Sequence, residues 1–281
     1  MSTERRTVIA GNWKMHLTKQ EAGALVDGIL AGVGSTGPAE VILFPPFVYL
    51  EEAVRKTAGT RLGVGAQNVH DRELGAYTGE ISAPMLKSIG CSHVIIGHSE
   101  RRRFFSESDM EVNRKMKLSL QQGLAPLLCI GETAEQREGG QAAELLNRQL
   151  VYGLMGIDED RIEQAIVAYE PVWAIGTGVS AAPDQLLESF GLIRGILRDF
   201  AGGRVSERVR ILYGGSVTAE NAPGLLALDD VDGFLIGGAS LKAESFCAIV
   251  HTADSLRRAG PVQAVPGSDA AGSGMGRTRS N

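Results

Sequence analysis

Eight short apolar runs punctuate the chain, at residues 8–10, 41–44, 62–64, 94–96, 127–130, 166–168, 209–212 and 233–236. Each is followed by a turn and then by a stretch with helical spacing. Runs that are apolar without alternation suit strands buried on both faces, as in a parallel sheet covered by helices. Their separation of roughly 20–45 residues is the room a strand–helix unit needs. Helix starts are written in the polar positions: Thr18-Lys19-Gln20-Glu21, Ser108-Asp109-Met110-Glu111 and Thr133-Ala134-Glu135-Gln136 are capping-box patterns. Val112, Met116 and Leu120 fall on one helical face, and so do Phe246, Ile249, Val250 and Ala253. Eight such units in about 250 residues predict a single α/β domain, a closed (β/α)8 barrel over residues 1–260. A doubly wound open sheet is the competing arrangement.

Two segments break the rhythm. Residues 68–80 are long and polar for a strand-to-helix loop, which marks either a functional loop or an arm to a partner. Residues 261–281 are rich in Gly, Ser and Ala and have no apolar period, which predicts a disordered tail.

Composition narrows the function classes. With 43% hydrophobic residues among 281, the chain can bury a full-sized core. A net charge of −5 argues against a nucleic-acid partner, which would need a basic face. No apolar run is long enough to span a membrane or to act as a secretory signal. Cys91, Cys129 and Cys247 match neither a disulfide framework nor a zinc spacing, so a reducing compartment, the cytoplasm, is expected.

Barrel chemistry collects at the carboxyl ends of the strands. There the sequence places Asn12-Trp13-Lys14, then Gly97-His98-Ser99-Glu100, then Glu170, then Gly214-Gly215-Ser216, then Gly237-Gly238. Each alone has a plain explanation: a solvated lysine, a satisfied core histidine, ordinary turns. Together they put a cation, an imidazole and a carboxylate on one face, with turns whose N–H groups can hold an anion. Pro171 ends the strand before Glu170, and the apolar Trp173 and Ile175 with Gly176 and Gly178 read as a lid, or else as a surface loop anchored by its Trp. Such a set, without a cofactor, can remove a proton beside a carbonyl and stabilise the oxyanion that develops. No nucleophile-elbow motif supports a hydrolase. The five histidines show no paired metal spacing. Gly176-Thr177-Gly178-Val179-Ser180-Ala181 matches a dinucleotide fingerprint in letters only, because five residues separate it from Glu170 and the strand.

Six stretches resemble the triosephosphate isomerase family in order: Gly11-Asn12-Trp13-Lys14-Met15, residues 97–102, Cys129-Ile130-Gly131-Glu132, residues 169–178, residues 213–217 and residues 232–241. The resemblance covers roughly residues 7–257 and implies the TIM barrel and interconversion of dihydroxyacetone phosphate with D-glyceraldehyde 3-phosphate, in glycolysis and gluconeogenesis. It implies Glu170 as the base, His98 as a neutral electrophile and Lys14 as the cation at the substrate oxygens. That glutamate–histidine scheme belongs to the family and is not read from this spacing. It also implies Asn12 as a substrate ligand, Glu100 as the carboxylate beside the lysine, and Gly176, Ser216, Gly237 and Gly238 at the phosphate. Ile175 and Leu235 would clamp the base, and Cys129 matches a family cysteine near the base but is better read as a small buried hydrophobe. The long polar loop resembles the family's intersubunit arm, with Thr78 at its tip, which implies a homodimer. No cofactor or metal is implied. Val179 departs from the polar residue usual after the lid's second glycine, and the tail extends past the usual end. A four-carbon sugar phosphate isomerase on the same scaffold is the alternative.

Overall fold

The computed structural model describes residues 5–174 and 181–259. In chain order the elements are β1 (Val8–Asn12), α1 (Lys19–Val33), β2 (Glu40–Phe44), α2 (Leu50–Thr57), β3 (Leu62–Ala66), α3 (Ala83–Ser88), β4 (His93–Ile96), α4 (Ser99–Phe104), α5 (Asp109–Gln121), β5 (Ala125–Ile130), α6 (Ala134–Glu138), α7 (Ala142–Leu154), α8 (Glu159–Ile162), β6 (Ile166–Tyr169), α9 (Pro183–Arg208), β7 (Arg210–Tyr213), α10 (Ala222–Leu226), β8 (Gly233–Ile236) and α11 (Ala243–Ala259). The strands close in sequence order into a barrel, and β1 pairs in parallel with both β2 and β8. The (β/α)8 barrel is therefore the observed fold, and the open doubly wound sheet is excluded.

Alternation along each strand divides the core in two. Val8, Ala10, Ile42, Phe44, Ile95, Leu127, Cys129, Ile166, Ala168, Leu212 and Leu235 form the cluster that fills the barrel. Their neighbours, such as Ile9, Val41, Leu43, Leu128, Val167 and Ile211, belong to the larger cluster that includes the helices' buried faces. This explains why the strands read as unbroken apolar runs. The three capping boxes are all formed, at Thr18, Ser108 and Thr133. α9 is two helical segments broken at Gly202, whose φ of 81° and ψ of 166° leave the helical region.

Two glycines shape the surroundings of Glu170. A Cβ on Gly131 would lie 1.8 Å from the Glu170 carbonyl oxygen, and one on Gly214 would lie 2.9 Å from Glu170 Cγ. The strands on either side of β6 can thus approach the carboxylate only because these positions have no side chain.

Residues 72–80 are exposed throughout, Thr78 among them. The loop's base is tied by the His70 N–H donating to the Ile81 carbonyl at 2.8 Å. Large apolar side chains stand exposed on the first three strand-to-helix connections, at Met15, Val48, Leu74 and Tyr77, and at the end of α4, at Phe104 and Phe105. Among the described residues no helix is long and apolar enough to cross a membrane. The lid residues Ile175, Gly176, Gly178 and Val179, and the tail at residues 261–281, lie outside the described residues.

Candidate active site

A cleft of about 390 Å³ opens at the carboxyl ends of the strands. Asn12, Lys14, His98, Glu170, Ser216, Leu235, Gly237 and Gly238 all border it. The structure thus brings together residues that the sequence spreads over more than two hundred positions. A wider groove of about 790 Å³ lies on the other flank of Glu170, between α4, α6 and α7. It holds neither His98 nor Lys14, so the smaller cleft is where the chemistry converges.

Glu170 follows the last residue of β6, and its own N–H donates to the Ile130 carbonyl at 2.8 Å, so its backbone is fixed to β5. Its side chain is nearly closed off from solvent, at 2% exposure. One oxygen, Oε1, lies 3.0 Å from His98 Nε2, and the other accepts the Ser99 N–H at 2.9 Å. Burial would raise its pKa, but the His98 ring, the Ser99 N–H and Lys14 outweigh burial and hold the carboxyl below its ordinary value.

His98 caps α4, and its Nδ1 accepts the Glu100 N–H at 3.2 Å. That bond places the ring proton on Nε2, facing Glu170. Burial lowers the His98 pKa, and contact with the Glu170 carboxylate outweighs this and moves it upward. The Glu100 N–H works in the opposite sense, because a second proton on Nδ1 would displace it.

Lys14 sits in the left-handed region, with φ 52°. Such a backbone costs roughly 1–3 kcal/mol in a non-glycine residue and persists only where its neighbours impose it. Here the Lys14 N–H donates to Asn12 Oδ1 at 3.0 Å, and Gln67 Nε2 donates to the Lys14 carbonyl at 2.8 Å. The ammonium rests 2.6 Å from Glu100 Oε1.

The turns after β7 and β8 complete the cleft. Gly237 lies beside the Lys14 stem, with its Cβ position 3.6 Å from Lys14 Cε, and Gly238 has open space where a Cβ would sit. A 3₁₀ turn at Gly238–Leu241 follows, closed by the Ser240 hydroxyl on the Gly237 carbonyl at 2.6 Å. After β7 the chain makes a further turn before α10 begins at Ala222.

Sequence reasoning gave no role to Glu132, which is fully buried. Its Oε1 accepts from Tyr169 Oη at 2.9 Å, Trp173 Nε1 at 3.1 Å and Arg137 Nη1 at 3.1 Å. This carboxylate anchors Trp173 at the start of the segment after Glu170. Its place in the resembling stretch Cys129-Ile130-Gly131-Glu132 was the signal, but burial cannot be read from one position. Cys129 is buried among the barrel's apolar side chains, and burial pushes its thiol pKa well up, as befits a small hydrophobe. Among the described residues no group of His, Cys, Asp or Glu is arranged to hold a metal ion.

Fold and site define a class: a parallel α/β barrel with a carboxylate–imidazole–ammonium group at the carboxyl ends of its strands. The triosephosphate isomerase family profile matches residues 7–253. The triosephosphate isomerase of Geotalea uraniireducens is 48% identical over 247 residues, covering 88% of this chain and 98% of that protein. Those of Chloroflexus aurantiacus, at 47%, and Caldanaerobacter subterraneus, at 48%, each cover 88% of this chain and are themselves covered to 99%. The chain belongs to the triosephosphate isomerase family.

Proposed function

We propose that this protein interconverts dihydroxyacetone phosphate and D-glyceraldehyde 3-phosphate through an enediolate, as a step of glycolysis and gluconeogenesis. The observation that carries the reading is the 3.0 Å approach of His98 Nε2 to Glu170 Oε1 in a cleft that Lys14 and the glycine turns also border. The substrate phosphate is held by N–H groups at Gly176, Ser216, Gly237 and Gly238. Asn12 and Lys14 fix the oxygens of the carbon chain. Glu170 releases the Ser99 N–H and takes a proton from the carbon next to the carbonyl. Its basicity rises as it leaves those partners for the apolar side of the cleft at Leu235. His98 donates its Nε2 proton to the carbonyl oxygen that gains negative charge, and Lys14 balances the charge that remains. With Glu170 gone from its side, the contact that raised the His98 pKa is gone too. Burial and the Glu100 N–H then keep the ring neutral. Return of the proton from Glu170 to the adjacent carbon, as the neighbouring hydroxyl gives its proton back to His98 Nε2, yields the isomer and restores both groups.

The protein works in this reading as a homodimer. The exposed apolar side chains on the first three connections and at the end of α4 form one half of the barrel mouth, a surface that suits burial against a second copy. The arm at residues 68–80, with Thr78 at its tip, reaches the partner. Three unpaired, buried thiols suit the cytoplasm. We place the domain boundary at residue 260, next to the end of α11 at Ala259.

Turnover in D₂O tests the mechanism. The proton held on Glu170 can exchange with solvent while the enediolate persists, so a fraction of the product carries deuterium on the receiving carbon, read by NMR. No deuterium in the product together with unimpaired isomerisation by Glu170→Gln would contradict the base.

A further inference from the structure

The turn after β7 is held from behind by one side chain. Asn221 Nδ2 donates to the Ser216 carbonyl at 3.1 Å, and Asn221 Oδ1 accepts the Thr218 N–H at 2.8 Å. In return the Asn221 N–H donates to Thr218 Oγ1 at 3.3 Å. The three bonds close residues 216–221 into one rigid loop, and Ser216, Val217, Thr218 and Asn221 all border the cleft. Gly214 and Gly215 fix the near end: the Gly214 N–H donates to the Tyr169 carbonyl at 2.8 Å, and a Cβ on Gly215 would lie 2.2 Å from Tyr213 Oη. Asn221 ties the far end to the Ser216 carbonyl through its side chain, while the Ser216 hydroxyl donates to the Ala174 carbonyl at 3.3 Å.

A trans peptide is planar, so the fixed Ser216 carbonyl fixes the direction of the Val217 N–H, which points the opposite way, and keeps Ser216 from turning about its own backbone. An anion site made of backbone N–H groups depends on that aim, because its donors cannot rotate independently of the chain. We infer that Asn221 is a positioning residue for the phosphate of the substrate, acting through the Ser216–Thr218 turn and not on the reacting carbons. The inference rests on the proposed triose phosphate reaction. It predicts that Asn221 matters only for substrates that carry a phosphate. Loss of a remote grip lowers use of the whole substrate but leaves a truncated one unaffected.

The test compares Asn221→Ala and Asn221→Asp with the parent on two substrates. Asn221→Asp keeps the acceptor for the Thr218 N–H and loses the donor to Ser216. For D-glyceraldehyde 3-phosphate, KM rises about tenfold in each variant, the scale of losing one or two positioning hydrogen bonds, while kcat falls by less than about threefold. The inhibition constant of inorganic phosphate rises in parallel. For D-glyceraldehyde, which has no phosphate, deuterium exchange at the α-carbon in D₂O stays within about twofold of the parent. A residue that only caps α10 would lower the melting temperature and slow both substrates alike, and that result overturns the inference. So does an unchanged KM in both variants. A parent protein that fails to turn over D-glyceraldehyde 3-phosphate would instead overturn the proposed reaction.

Discussion

Gly214→Ala probes the space reserved for the base. The new Cβ would sit 2.9 Å from Glu170 Cγ and 3.2 Å from the Tyr169 carbonyl oxygen. Carbon atoms rest at about 3.5–4.0 Å, so one of them must move by roughly 0.6–1.1 Å. The Tyr169 carbonyl is tied into the barrel by the Gly214 N–H at 2.8 Å, so the Glu170 side chain gives way instead. A 1 Å misplacement of a catalytic group lowers a rate by about a hundredfold. The expected result is a fall in kcat of about 10- to 100-fold, or about 1.4–2.7 kcal/mol of transition-state stabilisation. KM stays within about threefold, because the phosphate turn begins one residue later. Overpacking costs about 1–3 kcal/mol of stability, a shift of a few degrees in melting temperature for a domain of this size. Steady-state kinetics with the triose phosphate and a thermal melt measure both. A kcat within twofold of the parent in a variant with unchanged melting would refute the claim that Gly214 makes room for the base. Gly131→Ala is the contrasting case: its Cβ would lie 1.8 Å from a backbone oxygen, so the barrel itself must yield, and folding should fail along with activity.

Other consequences follow from the same contacts. Glu170→Asp draws the carboxylate back by one methylene, so kcat should fall strongly with little change in KM; a loss expressed in KM alone would contradict the base. At the opposite end of the barrel, burial would raise the Glu40 pKa, but its hydrogen bond to His93 and the charge of Arg210, whose Nη1 is 2.7 Å away, pull it down to about 2. A carboxylate lowered on folding stabilises above its unfolded pKa and loses that contribution as pH falls through the folded one. Here the window runs from 4.5 down to about 2, and at about 1.4 kcal/mol per pH unit the contribution is about 3 kcal/mol. Denaturant titrations should show that loss in the parent and a flatter profile in Glu40→Gln; identical profiles would refute it. Leu74 is 83% exposed in one chain, so Leu74→Asp should leave that chain folded but yield monomers in sedimentation; an unchanged dimer would exclude Leu74 from the interface. Deleting residues 261–281 should leave kcat and the oligomeric state unchanged, and a marked loss of either would give the tail a role.

The barrel was legible because its strands are buried on both faces and α1, α5 and α6 announce themselves with Ser or Thr caps. Pro126 hides the first residues of β5 from an apolar-run reading, and the helices of four to six residues are too short to show a period. Glu170, His98 and Lys14 stood out because strand ends are countable in sequence. Glu132, Gly131 and Gly214 did not, since their meaning lies in distances between strands. The same holds for Gln67, which follows β3 in sequence yet fixes the backbone of Lys14 after β1.

The most direct measurement is a coupled assay of the purified protein and of Glu170→Gln on D-glyceraldehyde 3-phosphate, with four-carbon ketose phosphates at matched concentration. An amide cannot take the proton, so the account predicts rapid turnover of the triose phosphate by the parent and a loss of about 10²–10⁴-fold in the variant. Preference for a four-carbon substrate would keep the base and move the specificity. Full activity in Glu170→Gln would contradict the central claim.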